Sequence, residues 1–252
     1  MFDAIRLPRR TCLLGLLGLL LAAATAGARA ESASGSGKPG TETRAVDGYH
    51  GIALKAPFKV LLRASGREGV TLRGDDNLLA LVETRVVEAR AGQPGPVLEL
   101  RWRDGVRVSP RGEMLVTVDV VNLRLVTVAG SGEVSGDAPP APSLALRVAG
   151  SGDIALRQVR TDDLAIGVAG SGDVKVAGRA TKLAVTVSGS GDVDTDALEA
   201  DEVAVQVAGS GDAAVTARKS LTVAIAGSGE VVHRGEAQPQ VSVAGSGHVR
   251  RR

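Results

Sequence analysis

Aromatic side chains are almost missing from this sequence, with one Trp, one Tyr and two Phe in 252 residues. Phe2 stands at the N-terminus, so the body of the chain holds Tyr49, Phe58 and Trp102, and nothing aromatic follows them. A core beyond that point has to be aliphatic, and aromatic platforms for bases or sugar rings are excluded there. Cysteine is as scarce: Cys12 is alone, which excludes a disulfide framework, and a Cys–His nucleophile cannot be assembled from the remainder. Helical periodicity over ten or more residues is absent as well, which excludes an alternating α/β repeat. Charge of either sign is not in excess. Residues 1–30 carry four Arg and one Asp, a net +3, whereas the whole chain is +2, so the rest is near −1. The basic character belongs to the N-terminus, and no case for nucleic-acid binding survives its removal.

Long hydrophobic runs are confined to that same N-terminus. Arg6, Arg9 and Arg10 precede an apolar stretch from Leu13 to Ala24, and Ala28-Arg29-Ala30 supplies small residues for a cut before Glu31. This pattern reads as a signal peptide over 1–30, with an uncleaved anchor as the alternative. The stretch is shorter than the roughly 20 residues of a membrane span. Cys12 lies ahead of the apolar stretch, whereas a lipoprotein cysteine would follow it, so no lipid anchor is read there. The mature chain, without a transmembrane segment, is expected in the periplasm, at the cell surface or outside the cell.

What the sequence has in quantity is glycine, and its arrangement organises everything else. Gly-Ser-Gly followed by a polar residue occurs seven times, beginning at Gly130, Gly150, Gly170, Gly189, Gly209, Gly227 and Gly245. The copies start 20, 20, 19, 20, 18 and 18 residues apart, a period that marks a stacked repeat. Around each copy apolar residues alternate: Leu164, Ile166 and Val168 precede one motif, and Val174 and Val176 follow it on the same parity. Period-two alternation rich in β-branched residues predicts strands with one buried face. Each unit reads as two strands joined by a Gly-Ser-Gly corner and followed by a looser second turn, as at Gly178–Thr181, Ala217–Ser220 and Gly235–Pro239. One unit cannot bury its own face. Seven stacked at about 4.8 Å would bury it inside a rod of roughly 34 Å. The fold class is all-β: a β-solenoid resembling a right-handed parallel β-helix, with about seven coils.

The other segments read less regularly. Residues 31–43 are Ser/Gly-rich and polar, a flexible linker by composition, in which Gly35-Ser36-Gly37 is out of period and coincidental. Residues 44–125 show short β-type runs at Ile52–Leu54, Phe58–Leu62, Val70–Leu72, Val97–Trp102 and Met114–Val120. A turn at Gly74–Asn77 leads into one short helix at Leu78–Glu83, and Gly92–Pro96 is a loop. This irregular β-rich portion is expected to pack on one end of a repeat solenoid over 126–249, with residues 250–252 as a basic tail.

The repeated V-x-G-S-G-D-V, with Val121-Asn122-Leu123 leading into its first copy, resembles the exported bacterial family described as putative auto-transporter adhesins with a head GIN domain. Val46-Asp47-Gly48-Tyr49-His50-Gly51-Ile52 is similar to that family's opening, and Gly74-Asp75-Asp76-Asn77-Leu78-Leu79 to its middle motif. The resemblance covers about 44–249 and implies a mostly-β, solenoid-like domain in the envelope or outside. It implies no catalytic residues. A true autotransporter carries a C-terminal membrane barrel, whereas Arg252 here comes directly after the last repeat, so the family's name is not a mechanism.

The motif itself admits two readings. As a corner, its glycines allow positive φ and close backbone approach, while Ser and Asp bond to the turn. As an ion site, Glu133, Asp153, Asp173, Asp192, Asp212 and Glu230 form a carboxylate ladder that calcium would neutralise. Calcium β-rolls, however, have a Gly-rich loop at both turns of a nine-residue period, which this chain lacks. A polysaccharide-acting enzyme would need paired carboxylates in a cleft. The nearest pairs are Asp162-Asp163, read as a solvated turn, and Asp192 with Asp194, the latter on an outward strand face. His50, His233 and His248 have no metal-ligand spacing. Beside each motif Ala129, Ala149, Ala169, Ser188, Ala208, Ala226 and Ala244 form a row of small side chains. That row is either a flat contact surface or simply what fits beside a crowded corner. The reading that results is an exported, non-enzymatic structural or adhesin-like interaction protein of the bacterial envelope. It has no catalytic, cofactor-binding or metal residues and no cofactor, and its partner is an unidentified envelope or surface component or a second copy.

Overall fold

Alternation of inward and outward side chains dominates the structure because 69% of the described residues are in strands and only 3% are helical. The computed structural model describes residues 31–88 and 95–252. The leader over 1–30 and Gly92–Pro94 of the expected loop lie outside the described residues. The N-terminal half supplies β1 (Glu31–Ser34), β2 (Pro39–Arg44), β3 (Gly51–Leu54), β4 (Lys59–Arg63) and β5 (Gly69–Asp75). A 3-10 helix (Asp76–Leu81) leads into β6 (Val82–Val87), β7 (Val97–Trp102), β8 (Val106–Ser109) and β9 (Leu115–Asp119). The repeats supply β10 (Leu125–Gly130), β11 (Glu133–Asp137), β12 (Ala141–Gly150), β13 (Asp153–Gly170), β14 (Val174–Gly189) and β15 (Val193–Gly209). They continue with β16 (Ala213–Gly227), β17 (Glu230–Arg234), β18 (Pro239–Gly245) and β19 (His248–Arg251).

These strands stack as a β-solenoid of about six turns, since the seven corners bound six repeats. Neighbouring coils pair in parallel with like positions aligned: Gly130 on Gly150, Gly150 on Gly170, and so on to Gly227 on Gly245. The inward parity builds the core. Leu183, Val185 and Val187 lie under Val203, Val205 and Val207, and all are buried. Each such side chain removed from water contributes about 1.5–3 kcal/mol, which stacked units realise and an isolated unit cannot. Two of the three second turns differ from the expected loose connections, whereas the one at Gly235 does separate β17 from β18. β14 runs through Gly178–Thr181 and β16 through Ala217–Ser220, with register shifts instead of loops, because the backbone there still finds partners in the adjacent coils.

The N-terminal half does more than rest on this stack. β3 pairs in parallel with β10 and β4 with β11, while β7 lies beyond β3 and β9 beyond β4. All belong to one 17-stranded sheet. The end is then closed by antiparallel strands, β6 on β7 and β5 on β9, and by the 3-10 helix, which buries Leu78 and Leu79. The three aromatics cluster here. Tyr49 and Phe58 are fully buried, and Phe58 meets Trp102 edge-on with ring centroids 4.7 Å apart. The Tyr49 hydroxyl donates to the Asp119 carbonyl at 2.5 Å, and burial pushes its pKa up to about 12.

Two segments correct the expectations. Residues 31–43 are no linker: β1 pairs with β8, and β2 runs antiparallel to β5. Gly35-Ser36-Gly37 wraps the Asp75 carboxylate, which accepts from the Gly37 amide at 2.7 Å and the Arg111 amide at 2.8 Å. Composition could not show this, because the partners lie about 40 residues away. The basic tail is likewise folded in. Arg250 pairs with Glu230, the Arg251 guanidinium donates to the Gly235 carbonyl at 2.9 Å, and Arg252 reaches Asp196 at 3.7 Å. At this end the inward residues Val241 and Val243 are 47% and 40% exposed, against 1% and 2% for Val223 and Ile225 one coil earlier. Among the described residues no helix is long and apolar enough to cross a membrane.

Titratable groups buried in the stack set its pH response. His233 is inward-facing on Val215, with Nδ1 unpartnered and Arg251 next in register. Burial, and then the Arg251 charge, hold its pKa below the ordinary 6.5. The unfolded chain therefore takes up this proton first, so the stability is whole above pH 6.5 and falls below it. At Glu99, burial pushes the pKa up, but ion pairs with Lys55 at 2.5 Å and Arg85 at 3.1 Å outweigh it and leave the value below the usual 4.5. That contribution is present above pH 4.5 and is lost as pH falls through the folded-state value. We expect melting curves to show a first decline below pH 6.5 that His233→Leu removes, and a second, more acidic one that Glu99→Gln flattens.

Candidate functional site

The Gly-Ser-Gly corner is the feature repeated most strictly, and its geometry accounts for every glycine in it. Gly150 has φ +123°, a region that L side chains avoid, and a Cβ there would lie 2.7 Å from the Gly130 carbonyl oxygen. Gly152 lacks that φ restriction but is no freer: its Cβ would stand 2.5 Å from both the Gly132 oxygen and a Val128 methyl. The Ser151 amide donates to the Gly130 carbonyl at 2.9 Å, and the bond recurs from Ser171 to Gly150 and from Ser190 to Gly170. Thus the serine main chain ties the corners together, while its side chain faces solvent.

The acidic residue after each corner forms a ladder, as the spacing suggests, and the structure shows how it is neutralised. The Asp153 carboxylate accepts from the Asp173 amide at 3.0 Å, Asp173 from Asp192 at 3.1 Å, Asp192 from Asp212 at 3.0 Å, and Asp212 from Glu230 at 2.8 Å. Neighbouring carboxylates at this spacing repel by about 1 kcal/mol in water, and a main-chain N–H bonded to a carboxylate offsets that. Glu133 and Glu230, one methylene longer, leave the next coil's amide to a glycine carbonyl: Asp153 donates to Gly132 at 3.0 Å and His248 to Gly229 at 3.3 Å. Among the described residues no group of three or more His, Cys, Asp or Glu is placed to hold a metal ion.

The remaining sequence candidates separate. Asp162 and Asp163 are exposed. Asp194 is less solvated than its strand parity suggests: it is paired with Lys175 at 2.8 Å and accepts from the Asp196 amide at 3.2 Å. Burial raises its pKa, but these partners hold it below the usual carboxylate value. His50 is half-buried, His233 lies in the core, and His248 is exposed 3.7 Å from Glu230. The structure brings none of these into one constellation.

Two surfaces do converge. Ala149, Ala169, Ser188, Ala208, Ala226 and Ala244 align in register on the outer face, all exposed. Ala145, Ala165, Ala184 and Ala204 form a second row on the same face, separated from the first by the row Arg147, Gly167, Thr186 and Gln206. The other surface runs along the second turn, where grooves of about 1010 and 770 Å³ share Pro140, Gln158 and Arg160. Sequence reading missed this one. Its signal was present, since Arg160 and Arg179 are one repeat apart and pair in register.

Comparison with known proteins agrees with this architecture. A family model described as putative auto-transporter adhesin, head GIN domain, matches residues 48–237. No curated protein gives a significant sequence match. A crystal structure of a putative adhesin from Bacteroides fragilis superposes with a TM-score of 0.74 at 22% identity, covering 87% of this chain and 99% of its own. A putative lipid binding protein from Parabacteroides distasonis gives 0.67 at 19%, covering 88% and 99%. A putative adhesin from Parabacteroides merdae gives 0.66 at 19%, with the same coverage. At these identities the likeness is one of fold.

Two stability outcomes follow from the corner. Gly152→Ala should cost about 1–3 kcal/mol in chemical denaturation, as overpacking does, whereas Gly167→Ala, with nothing within 4 Å of the new methyl, should be close to neutral. Replacing Asp173 and Asp192 together by Ala frees two amides and should cost about 1–2 kcal/mol, with Asn at both positions costing less. Millimolar calcium or a chelator should leave the melting temperature of the parent chain unchanged.

Proposed function

This chain belongs to the family of putative auto-transporter adhesins with a head GIN domain, and from that membership we propose that it is an exported, non-enzymatic contact protein of the bacterial cell envelope. One observation carries the reading. Immediately before the corners the outer face presents one row of small side chains in register from coil to coil, headed by Ala149. A row of this kind has little side-chain entropy to lose and lets the edge of a partner approach the backbone closely along several coils. The polar groups of the motif support the same reading, because the Asp carboxylates of the ladder are engaged by main-chain amides and the glycines by packing. The repeat therefore serves as scaffold, and contact falls to the faces it displays. The partner in this proposal is an envelope or surface component, met in the periplasm or outside the cell.

The test uses cells that produce the protein, divided into cytoplasm, periplasm, outer membrane and medium, together with binding of the labelled protein to isolated envelopes. We expect an envelope or medium location and saturable binding. Ala169→Arg with Ala208→Arg, both on the exposed row, should reduce that binding at least about tenfold without lowering the melting temperature. A cytoplasmic location, or binding indifferent to the two arginines, would overturn the reading.

A further inference from the structure

The two ends of the solenoid treat their strand edges differently. At the N-terminal end the outer strand β6 carries Glu83 and Arg85, and the Arg44 guanidinium donates to the Val82 carbonyl at 2.6 Å and to the Leu79 carbonyl at 2.9 Å. Charge and side-chain bonding of this kind keep an edge from recruiting another strand. At the other end β18 pairs in parallel with β16, and no strand of the described residues pairs with its far edge. Alternate N–H and C=O groups of β18 are therefore left facing away from the stack, a template for a further strand. β18 has no charged residue from Pro239 to Gly245, and the coil before it adds only Thr222, Ala224 and Ala226 to the outer face. Val241 is the most exposed large apolar side chain among the described residues, although it continues the buried row of Val223. The three arginines that follow do not guard this edge. They turn back on the stack, Arg250 to Glu230, Arg251 to the Gly235 carbonyl and Arg252 toward Asp196.

The strand's own sequence says what fits that edge. Val241-Ser242-Val243 is the same in both directions, and Ser242 stands at the centre of β18. A second β18 laid antiparallel about Ser242 sets Val241 opposite the partner's Val243, and Val243 opposite the partner's Val241. All four valines then point inward, in the rows begun by Val223 and Ile225, and each gains the β-branched neighbour that every interior coil provides. Ser242 meets its own copy on the axis and Gln240 meets the partner's Ala244, so no charge is buried at the seam. The N-terminal end, closed by β5, β6 and the 3-10 helix, presents the charged β6 in place of such an edge. Head-to-tail stacking therefore lacks a matching surface, and a contact between like ends is isologous and stops at two copies.

We propose that two copies of this chain join edge to edge through β18, forming a twofold dimer whose sheet is continuous across the seam. The axis stands normal to that sheet, so the small-residue rows of both copies lie on one face. The contact itself stands whether or not that face meets a partner. It is tested by sedimentation velocity on the purified protein, in a concentration series from the micromolar to the millimolar range. We expect a reversible monomer–dimer equilibrium and nothing larger. Ser242→Lys and Ser242→Glu each set like charges against one another on the axis, and each should weaken the dimer at least about tenfold. Both variants should melt with the parent at concentrations where it is monomeric, because the Ser242 side chain is exposed. An equimolar mixture of the two should recover a dimer that neither forms alone, since opposite charges then meet across the axis. Ala169→Arg/Ala208→Arg should dimerise as the parent does, which separates failure at this edge from failure at the small-residue face. A parent chain that stays monomeric, or that grows beyond the dimer, would overturn the proposal. So would undiminished association of either single variant, or a mixture that recovers none.

Discussion

The structure depends on how closely one coil's backbone can approach the next at the Gly-Ser-Gly corner. A glycine carbonyl of each coil occupies the space where a Cβ on the following coil's glycine would sit, at both glycine positions. With that approach allowed, the serine amide bonds directly to the coil before it, and the flanking strands fall into register. With it denied, the ladder on either side would open by a few tenths of an ångström or more, and every inward Val and Leu stacked along it would lose contact. The corner's chemistry is therefore steric first and polar second.

The carboxylates follow from that geometry. A short Asp side chain placed just after the corner reaches the next coil's amide, so a row of like charges becomes a row of acceptors. Glutamate appears in the first copy and in the sixth, where this bond is not made, and Glu230 instead pairs with Arg250. The ends of the stack differ for a related reason. The N-terminal end is closed by antiparallel strands and a 3-10 helix, whereas the last coil presents inward valines half-exposed. Function in this reading lies along the outer surface, where a row of small side chains is held in register by the pairing of the coils beneath it.

Much of this was legible in the chain because the information is local and repeated. The motif period gave the coil, the phase of the aliphatic alternation gave the buried face, and Ala149, Ala169 and Ala208 fell on the outer row as their parity required. The ladder of Asp153, Asp173, Asp192 and Asp212 was visible, but its neutralisation was not, since the amide that each accepts from belongs to the next coil. Residues 31–43 were misread because a polar, Gly/Ser-rich composition says nothing of an antiparallel partner such as β5. The grooves along the second turn were missed because a register shift between Leu156 and Val159 changes which side chains share a rim.

By itself the sequence determined an all-β stack, its repeat, its inward face and its aliphatic core, because strand parity and the steric freedom of glycine act within a few residues. Only the tertiary structure decided that β3 slots between β7 and β10 and so makes the N-terminal half part of the same ladder. It also decided that the tail's arginines meet Glu230 and Asp196, and that Arg160 stands beside Arg179 on the adjacent coil. These are pairings between residues far apart in the chain, settled by which backbone edges are left to pair and by where register shifts fall, and no local pattern encodes them.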